Sequence, residues 1–340
     1  MKTSRIALIW AAALAVAAWT AVSPARAEDR ILKMTSAGLG TEIEVDMAEI
    51  RAAYEFDRSA PLNVVIEKEA EVLPSCVKIS FSYDSPNGGR VPASLIMPKP
   101  HIGPMNPARS TVEGALPAVF FMHFHVSDKS LADVFAPWTG HGIAIMAIDG
   151  VYRGDRAEKG KDVLMDDPAL SAKHMQEQIR DILRGFDVLA SWKGIDPGRL
   201  GYMGISMGAL TGTAATSLDP RIKSILLADG GADFSLMFRH SDYGDMQEIR
   251  KYMETNNMSP EQFVDMFKFV DPGVFAPLLN DRAVMLMNGK NDTTISVPAM
   301  EALHNLIDTP RKGVVWYDSD HILPLDKVVV DSLKWFKKSL

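Results

Sequence analysis

The chain has 340 residues, 47% of them hydrophobic and 23% charged, with a formal net charge of −7. With no low-complexity tract, that balance suits a globular chain with an ample core and excludes a disordered or fibrous one. No basic stripe is present, so nucleic acid is not an expected partner.

The N-terminus reads as a signal peptide over residues 1–27. Lys2 and Arg5 make a basic start, Ile6 to Val22 an apolar run, and Ala25-Arg26-Ala27 a small-x-small cleavage site. The rival is an uncleaved anchor, but an alanine-rich run of 17 residues is short for a bilayer span. No stable membrane anchor is therefore expected, and the protein should reach the periplasm or the medium. Cleavage after Ala27 removes three basic residues and no acidic one, taking the net charge from −7 to −10. Cys76 is the only cysteine and cannot close an internal disulfide, so the exported protein must draw its stability from its core.

Residues 28–75 are polar, lack a long periodic run, and read as an extension packed on the body formed by residues 76–340. Val77 to Tyr83 and Ala93 to Met97 flank Asp84-Ser85-Pro86-Asn87-Gly88-Gly89, the pattern of an antiparallel hairpin. A Pro/Gly-rich connection, Pro98 to Pro117, follows. Ala118 to Met122 and Ile143 to Ile148 are continuous apolar runs, as in strands buried on both faces, with a candidate helix at Lys129 to Trp138 between them. From Ser171 to Trp192, the apolar residues Ile179, Ile182, Leu183, Phe186, Leu189 and Trp192 recur at threes and fours, which predicts a helix. Strands follow at Leu200 to Met203, Ile222 to Ala228, Ala283 to Met287 and Val314 to Tyr317, with helices at Val297 to Ile307 and Pro324 to Lys338. The whole predicts an α/β fold with a mostly parallel eight-stranded sheet covered by helices on both faces. Residues 232–280 interrupt the last alternation with segments rich in methionine and aromatic residues, and read as a helical lid insertion.

The decisive local feature is Gly204-Ile205-Ser206-Met207-Gly208, placed between a short strand and the small-residue helix Met207 to Ser217. A serine at such a junction sits on a tight strained turn that exposes its hydroxyl at the sheet's C-terminal edge. A serine hydroxyl needs a base, and the base an orienting acid. Both must come from loops at strand C-terminal ends. Asp292, in Asn288-Gly289-Lys290-Asn291-Asp292, fits the acid, and His321, in Asp318-Ser319-Asp320-His321, fits the base. The order Ser, Asp, His is the one expected with this turn. Asp229, at the end of the preceding strand, is the alternative acid.

These motifs, with Asp196-Pro197-x-Arg199-Leu200-Gly201, Asp219-Pro220-Arg221-Ile222 and Ser319-Asp320-His321-Ile322-Leu323-Pro324, resemble the α/β-hydrolase superfamily. Within it the chain is similar to dienelactone-hydrolase-like and acetyl-esterase-like serine hydrolases, from about Val77 to the C-terminus. The resemblance implies an ester hydrolase with Ser206 as nucleophile, His321 as base and Asp292 as acid. The oxyanion needs two backbone N–H donors. Met207 should supply one, and Phe124 or His125 the other, from a loop where the family usually has a histidine followed by glycine.

Arg153 and Arg156 follow a strand end at the same edge, and could hold a substrate carboxylate or brace their loop against an aspartate. Met237, Phe238 and Phe263 are candidates for lining an acyl or aromatic pocket, or else for packing within the insertion. His123 and His125 are a weak metal pair without a matched carboxylate cluster, and no cofactor or metal is expected. The expected substrate is a small-molecule or oligomeric ester. A peptidase of the same fold and a non-catalytic binding protein are the rivals, the first disfavoured by the lack of a large propeller domain ahead of the fold.

Overall fold

The structure is a computed structural model that describes residues 31–38, 40–99 and 114–340. The signal peptide expected over residues 1–27 lies outside the described residues. Among the described residues no helix is long and apolar enough to cross a membrane.

A two-stranded antiparallel sheet, β1 (Ile31–Ser36) and β2 (Thr41–Asp46), opens the described chain and leads into helix α1 (Met47–Ala53). The main sheet has nine strands: β3 (Val65–Leu73), β4 (Cys76–Asp84), β5 (Arg90–Pro98), β6 (Leu116–Met122), β7 (Ala144–Ile148), β8 (Ile195–Ile205), β9 (Ile222–Ala228), β10 (Ala283–Gly289) and β11 (Lys312–Tyr317). Their spatial order is β11-β10-β9-β8-β6-β7-β5-β4-β3. The strands from β6 onward pair in parallel, while β3, β4 and β5 form an antiparallel flank joined to β7 through β5. The mostly parallel α/β sheet is as the sequence implies, but its strands number nine and not eight. The additional strand, β3, belongs to the stretch read as a packed extension. It is the sheet's edge, and Val65 and Ile66 on it are exposed.

Alternation along the strands feeds two separate cores. In β6, Ala118, Phe120 and Met122 face helices α2 (Pro168–Ser191) and α3 (Met207–Leu218), whereas Val119 and Phe121 face the 3₁₀ helix Lys129–His141 and α9 (Leu325–Ser339). A strand covered on both sides needs apolar residues at every position, which explains its unbroken Pro-Ala-Val-Phe-Phe-Met run. Helix α2 begins at Asp167, whose carboxylate accepts the Ala169 N–H, and has Pro168 in its first turn, where a missing N–H costs nothing.

Between β9 and β10 the chain leaves the sheet as α4 (Phe234–His240), α5 (Gly244–Thr255), α6 (Pro260–Phe267), α7 (Pro272–Phe275) and a 3₁₀ turn, Ala276–Leu279. Helix α8 (Val297–Leu306) then connects β10 to β11. The inserted helices are pinned at their root. Asp271 accepts the backbone N–H groups of Asp233, Phe234 and Gly273, and Ser36 donates to Ser235 Oγ at 2.7 Å, tying the first hairpin to α4. The segment between α1 and β3 is held by α2. There Arg180 donates to the carbonyl of Ala53, and the buried Arg184 to the carbonyls of Arg58, Ala60 and Pro61.

Candidate active site

Ser206 caps the end of β8 with φ +52° and ψ −113°, a strained conformation for a residue with a side chain. Two close approaches make the turn possible. A Cβ on Gly204 would stand 2.3 Å from the Gly208 carbonyl oxygen, and a Cβ on Gly208 would stand 2.2 Å from that of Met122. Only glycine fits either position, so the spacing of the motif is a packing requirement of strand β8 against α3 and of α3 against β6. The Ser206 N–H donates to Ala228 O at 2.8 Å and the Ser206 carbonyl receives Leu210 N–H at 2.9 Å, which lock the turn from both sides.

His321 lies in the loop after β11, and its Nε2 is 2.9 Å from Ser206 Oγ while its Nδ1 is 2.7 Å from Asp292 Oδ2. An ionised Asp292 can only accept, so Nδ1 carries the proton and Nε2 is left to accept from the serine hydroxyl. Asp292 is buried, and its other oxygen accepts the N–H groups of Thr294 at 2.7 Å and Ile295 at 3.0 Å. The loops that carry acid and base are cross-tied, with Lys290 N–H to Tyr317 O and Asn291 N–H to Ser319 O, both at 3.0 Å. Residues far apart in sequence thus meet as one hydrogen-bonded line.

Met207, Phe124 and His125 border the same space as Ser206. Met207 opens α3, where the first N–H groups of a helix have no intrahelical acceptor and the macrodipole favours an anion. The loop with Phe124 and His125 is brought alongside by the pairing of Met122 with Gly204, and His123 fastens it. Its Nδ1 bonds Phe124 O at 2.7 Å and its Nε2 takes the Gly150 N–H at 3.0 Å. Burial lowers the His123 pKa and keeps the ring neutral.

The two histidines of this loop do not converge. His125 Nδ1 lies 2.7 Å from the Tyr243 hydroxyl, and its Nε2 lies 2.6 Å from Asp162 Oδ1 and 2.8 Å from Arg153 Nη2. Both imidazoles therefore use both nitrogens within the protein, which does not fit a shared metal. Against the cost of burial, His125 and Arg153 hold the Asp162 carboxyl below the usual carboxylate range. Arg153 is spent in this cluster, bonding Asp162 as well as His125. Arg156 donates to the buried Asp181 at 2.7 Å. The alternative of a substrate-carboxylate clamp is thereby corrected: both guanidiniums brace loops, and neither lines the cavity at Ser206.

That cavity, of about 200 Å³, is walled by Leu164, Met175, Leu210, Phe234, Met237, Tyr243, Met246, Phe267 and Ile295 beside the residues already named. A second one, of about 270 Å³, shares Phe124, His321 and Ile322 with the first and is otherwise lined by Leu131, Ile205, Ala228, Asp229, Leu323, Leu325 and Val328. Met237 lines the first cavity as the sequence suggests, but Phe238 and Phe263 do not. Phe263 is fully buried, its ring tilted against those of Phe238 at 4.7 Å and Phe267 at 4.6 Å, and belongs to the insertion's own core. Phe234, Met246 and Phe267 come from the methionine- and phenylalanine-rich segments that the sequence marks. Tyr243 has no signal of that kind. Burial, then the charges of Asp245 and Asp162, push its hydroxyl pKa up to about 12.

Residues 134–336 match the prolyl oligopeptidase family, more than half of the chain and including Ser206, Asp292 and His321. The chain belongs to this family. It is also 29% identical over 149 residues to YtaP of Bacillus subtilis (strain 168), a relative named as a hydrolase, covering 39% of the chain. The match spans about half of that relative, 46% of its length. Among solved structures, an acetyl xylan esterase from Paenibacillus sp. R4 aligns with TM-score 0.69 and 21% identity over 86% of this chain and 93% of the esterase. Porphyromonas gingivalis dipeptidyl peptidase 4 aligns with TM-score 0.58 and 13% identity over 77% of this chain and 35% of the peptidase. At these identities the structures share the fold, which is the α/β-hydrolase fold.

Proposed function

We propose that the chain is an exported carboxylic-ester hydrolase that works through an acyl-enzyme. The observation that carries this reading is the line from Ser206 Oγ through His321 to Asp292, opening on an apolar cavity. Ser206 Oγ bonds to the ester carbonyl carbon as His321 Nε2 takes its proton, and Asp292 stabilises the imidazolium. The oxyanion is received by the Met207 N–H and by a donor from the Phe124–His125 loop. When the tetrahedral adduct collapses, the C–O bond to the alcohol breaks and His321 returns the proton to the leaving oxygen. Water then repeats the sequence and frees the acid. The cavity takes the hydrophobic portion of the substrate, since among the described residues its walls include no carboxylate or guanidinium.

The ester reading is supported by the near full-length match to an acetyl xylan esterase, against a match to only 35% of the dipeptidyl peptidase. The family description favours a second reading, an amidase or peptidase using the same three residues. A panel of p-nitrophenyl esters against aminoacyl p-nitroanilides separates them. The expected result is turnover of acetyl to octanoyl esters with little anilide cleavage, and the opposite preference gives the function to the peptidase. A fluorophosphonate probe should label Ser206, and a chain left unlabelled would be a binding protein on this fold. Export is tested by intact mass of protein from periplasm or medium, where the chain should begin at Glu28. A mass retaining Met1 in a membrane fraction overturns it.

A further inference from the structure

Asp229 stands beside the Ser206–His321–Asp292 line without being part of it. It directly follows β9, the strand between the one that carries the serine and the one that leads to Asp292. Its side chain is fully buried, and its backbone has φ +48°, a conformation that few residues with side chains adopt. Oδ1 accepts one N–H, from Gly289 at 3.1 Å, while Oδ2 is buried with no hydrogen-bond partner among the described residues. Asp292, by contrast, receives three donors. Ligand atoms of Asp229, Asp292 and His321 all lie within 4.8 Å of one another. Among the described residues, the titratable groups facing Asp229 are Asp292, Asp320 and His321, with no lysine or arginine offsetting them.

Two carboxylates this close in a buried site cannot both carry charge at small cost, and the one with fewer donors keeps the proton. We propose that Asp229 is a positioning residue that sits as a neutral carboxylic acid with its proton on Oδ2, so that the only buried carboxylate charge beside His321 is that of Asp292, its hydrogen-bond partner. The proposal rests on the serine-hydrolase reading for its kinetic consequence. A second anion beside His321 would favour the imidazolium and shift the working range of the base to higher pH. A neutral Asp229 keeps the base free at lower pH, with its side chain at the wall of the second cavity beside His321. The unpartnered oxygen is the atom on which that proton is held. Burial, then the facing Asp292, push this carboxyl up to about 8, in line with the geometry.

Asp229→Asn copies the shape of the neutral acid, and Asp229→Ala removes it. With p-nitrophenyl acetate between pH 5 and 10, the Asn variant should hold kcat/KM within about threefold of wild type, with the midpoint of its rising limb in place. The Ala variant should lose about tenfold in kcat with KM unchanged. A midpoint lowered by about one pH unit in the Asn variant would show that a charge had been removed and overturns the proposal. So does an Ala variant that behaves as the Asn variant does. Stability gives a readout that needs no substrate. An acid whose pKa rises on folding, here from 3.8 to about 8, contributes stability that is full below the lower value and lost as pH climbs through the higher one. The melting temperature of the Asn variant should therefore gain on wild type as pH rises from about 5 to 8, then run parallel to it. A constant gap overturns the neutral acid even if no ester is hydrolysed. Should the variants not fold, aspartate-carboxyl ¹³C titration of the wild type decides, with a carboxyl titrating near 8 expected and none above 6 overturning the assignment.

Discussion

The catalytic edge and the inserted helices over it are built on opposite plans. At the edge, the nucleophile and the acid are fixed by backbone, and the base is held between their side chains. Ser206 is held by Ala228 O and by two glycines that tolerate no side chain, and Asp292 by two successive N–H groups. In the insertion, hydrogen bonds to backbone fix the root around Asp271 and the α4–α5 junction, where Asp242 N–H donates to Thr293 O and Ser241 Oγ to Thr294 O. Between these points side chains pack on one another, Phe234 on Phe267 and Phe263 on Phe238. Geometry set by strands cannot drift without loss of the reaction, whereas a shape set by interdigitated methionine and phenylalanine can change while the fold survives. On the function proposed above, the chemistry and the choice of substrate would be carried by parts of the molecule with different tolerance to substitution.

The largest expected effect lies at the edge. Ser206→Ala should fold with an unchanged melting temperature and lose ester hydrolysis by about four orders of magnitude or more, measured as kcat/KM after active-site titration. Near-normal turnover would remove the edge from its role altogether. Asp292→Asn should cost about 10⁴-fold, because an amide in place of the carboxylate favours the wrong imidazole tautomer. If Asp229→Asn proves the more damaging of the two acid substitutions, the working acid has been misassigned. Gly208→Ala tests the wedge, since the added methyl meets Met122 O at 2.2 Å. Strand or helix must move, and both activity and melting temperature should fall together. A stable, active Gly208→Ala enzyme would mean that the turn is looser than its contacts.

Effects in the insertion should be smaller and should separate by side chain. Phe263→Ala removes a ring from the insertion's core and should cost about 3–5 kcal/mol in denaturant unfolding while leaving the acyl-length profile flat. Met237→Ala, at the cavity wall, should alter the ratio of octanoyl to acetyl ester turnover severalfold with a smaller stability loss. A changed profile for Phe263→Ala and none for Met237→Ala would reverse the division drawn here.

The difference between the two regions also decides what could be read from the sequence. The serine turn, the loops with Asp292 and His321, and the helix Ser171 to Trp192 are legible because each rests on local rules: close approach at fixed spacing, strand ends, period 3.6. Strand β3 was hidden because its sequence, Val-Ile-Glu-Lys-Glu-Ala-Glu-Val-Leu, is solvent-facing along most of an edge and so lacks the burial alternation that marks a strand. The roles of Phe238 and Phe263 were not legible because a phenylalanine on a short helix reads the same whether it faces a cavity or a neighbouring ring. Arg153 and Arg156 show the same limit for charge. Their partners Asp162 and Asp181 arrive from a loop and a helix that the strand-end argument does not reach.

The clasp that Arg180 and Arg184 make on the segment before β3 has a consequence in time. The carbonyls of Ala53 and Arg58 find their guanidinium donors only in residues 127 and 126 positions further along. A chain that emerges from the ribosome N-terminus first must therefore carry this segment unfastened until most of α2 has followed it. This segment is thus fastened only once α2 is in place.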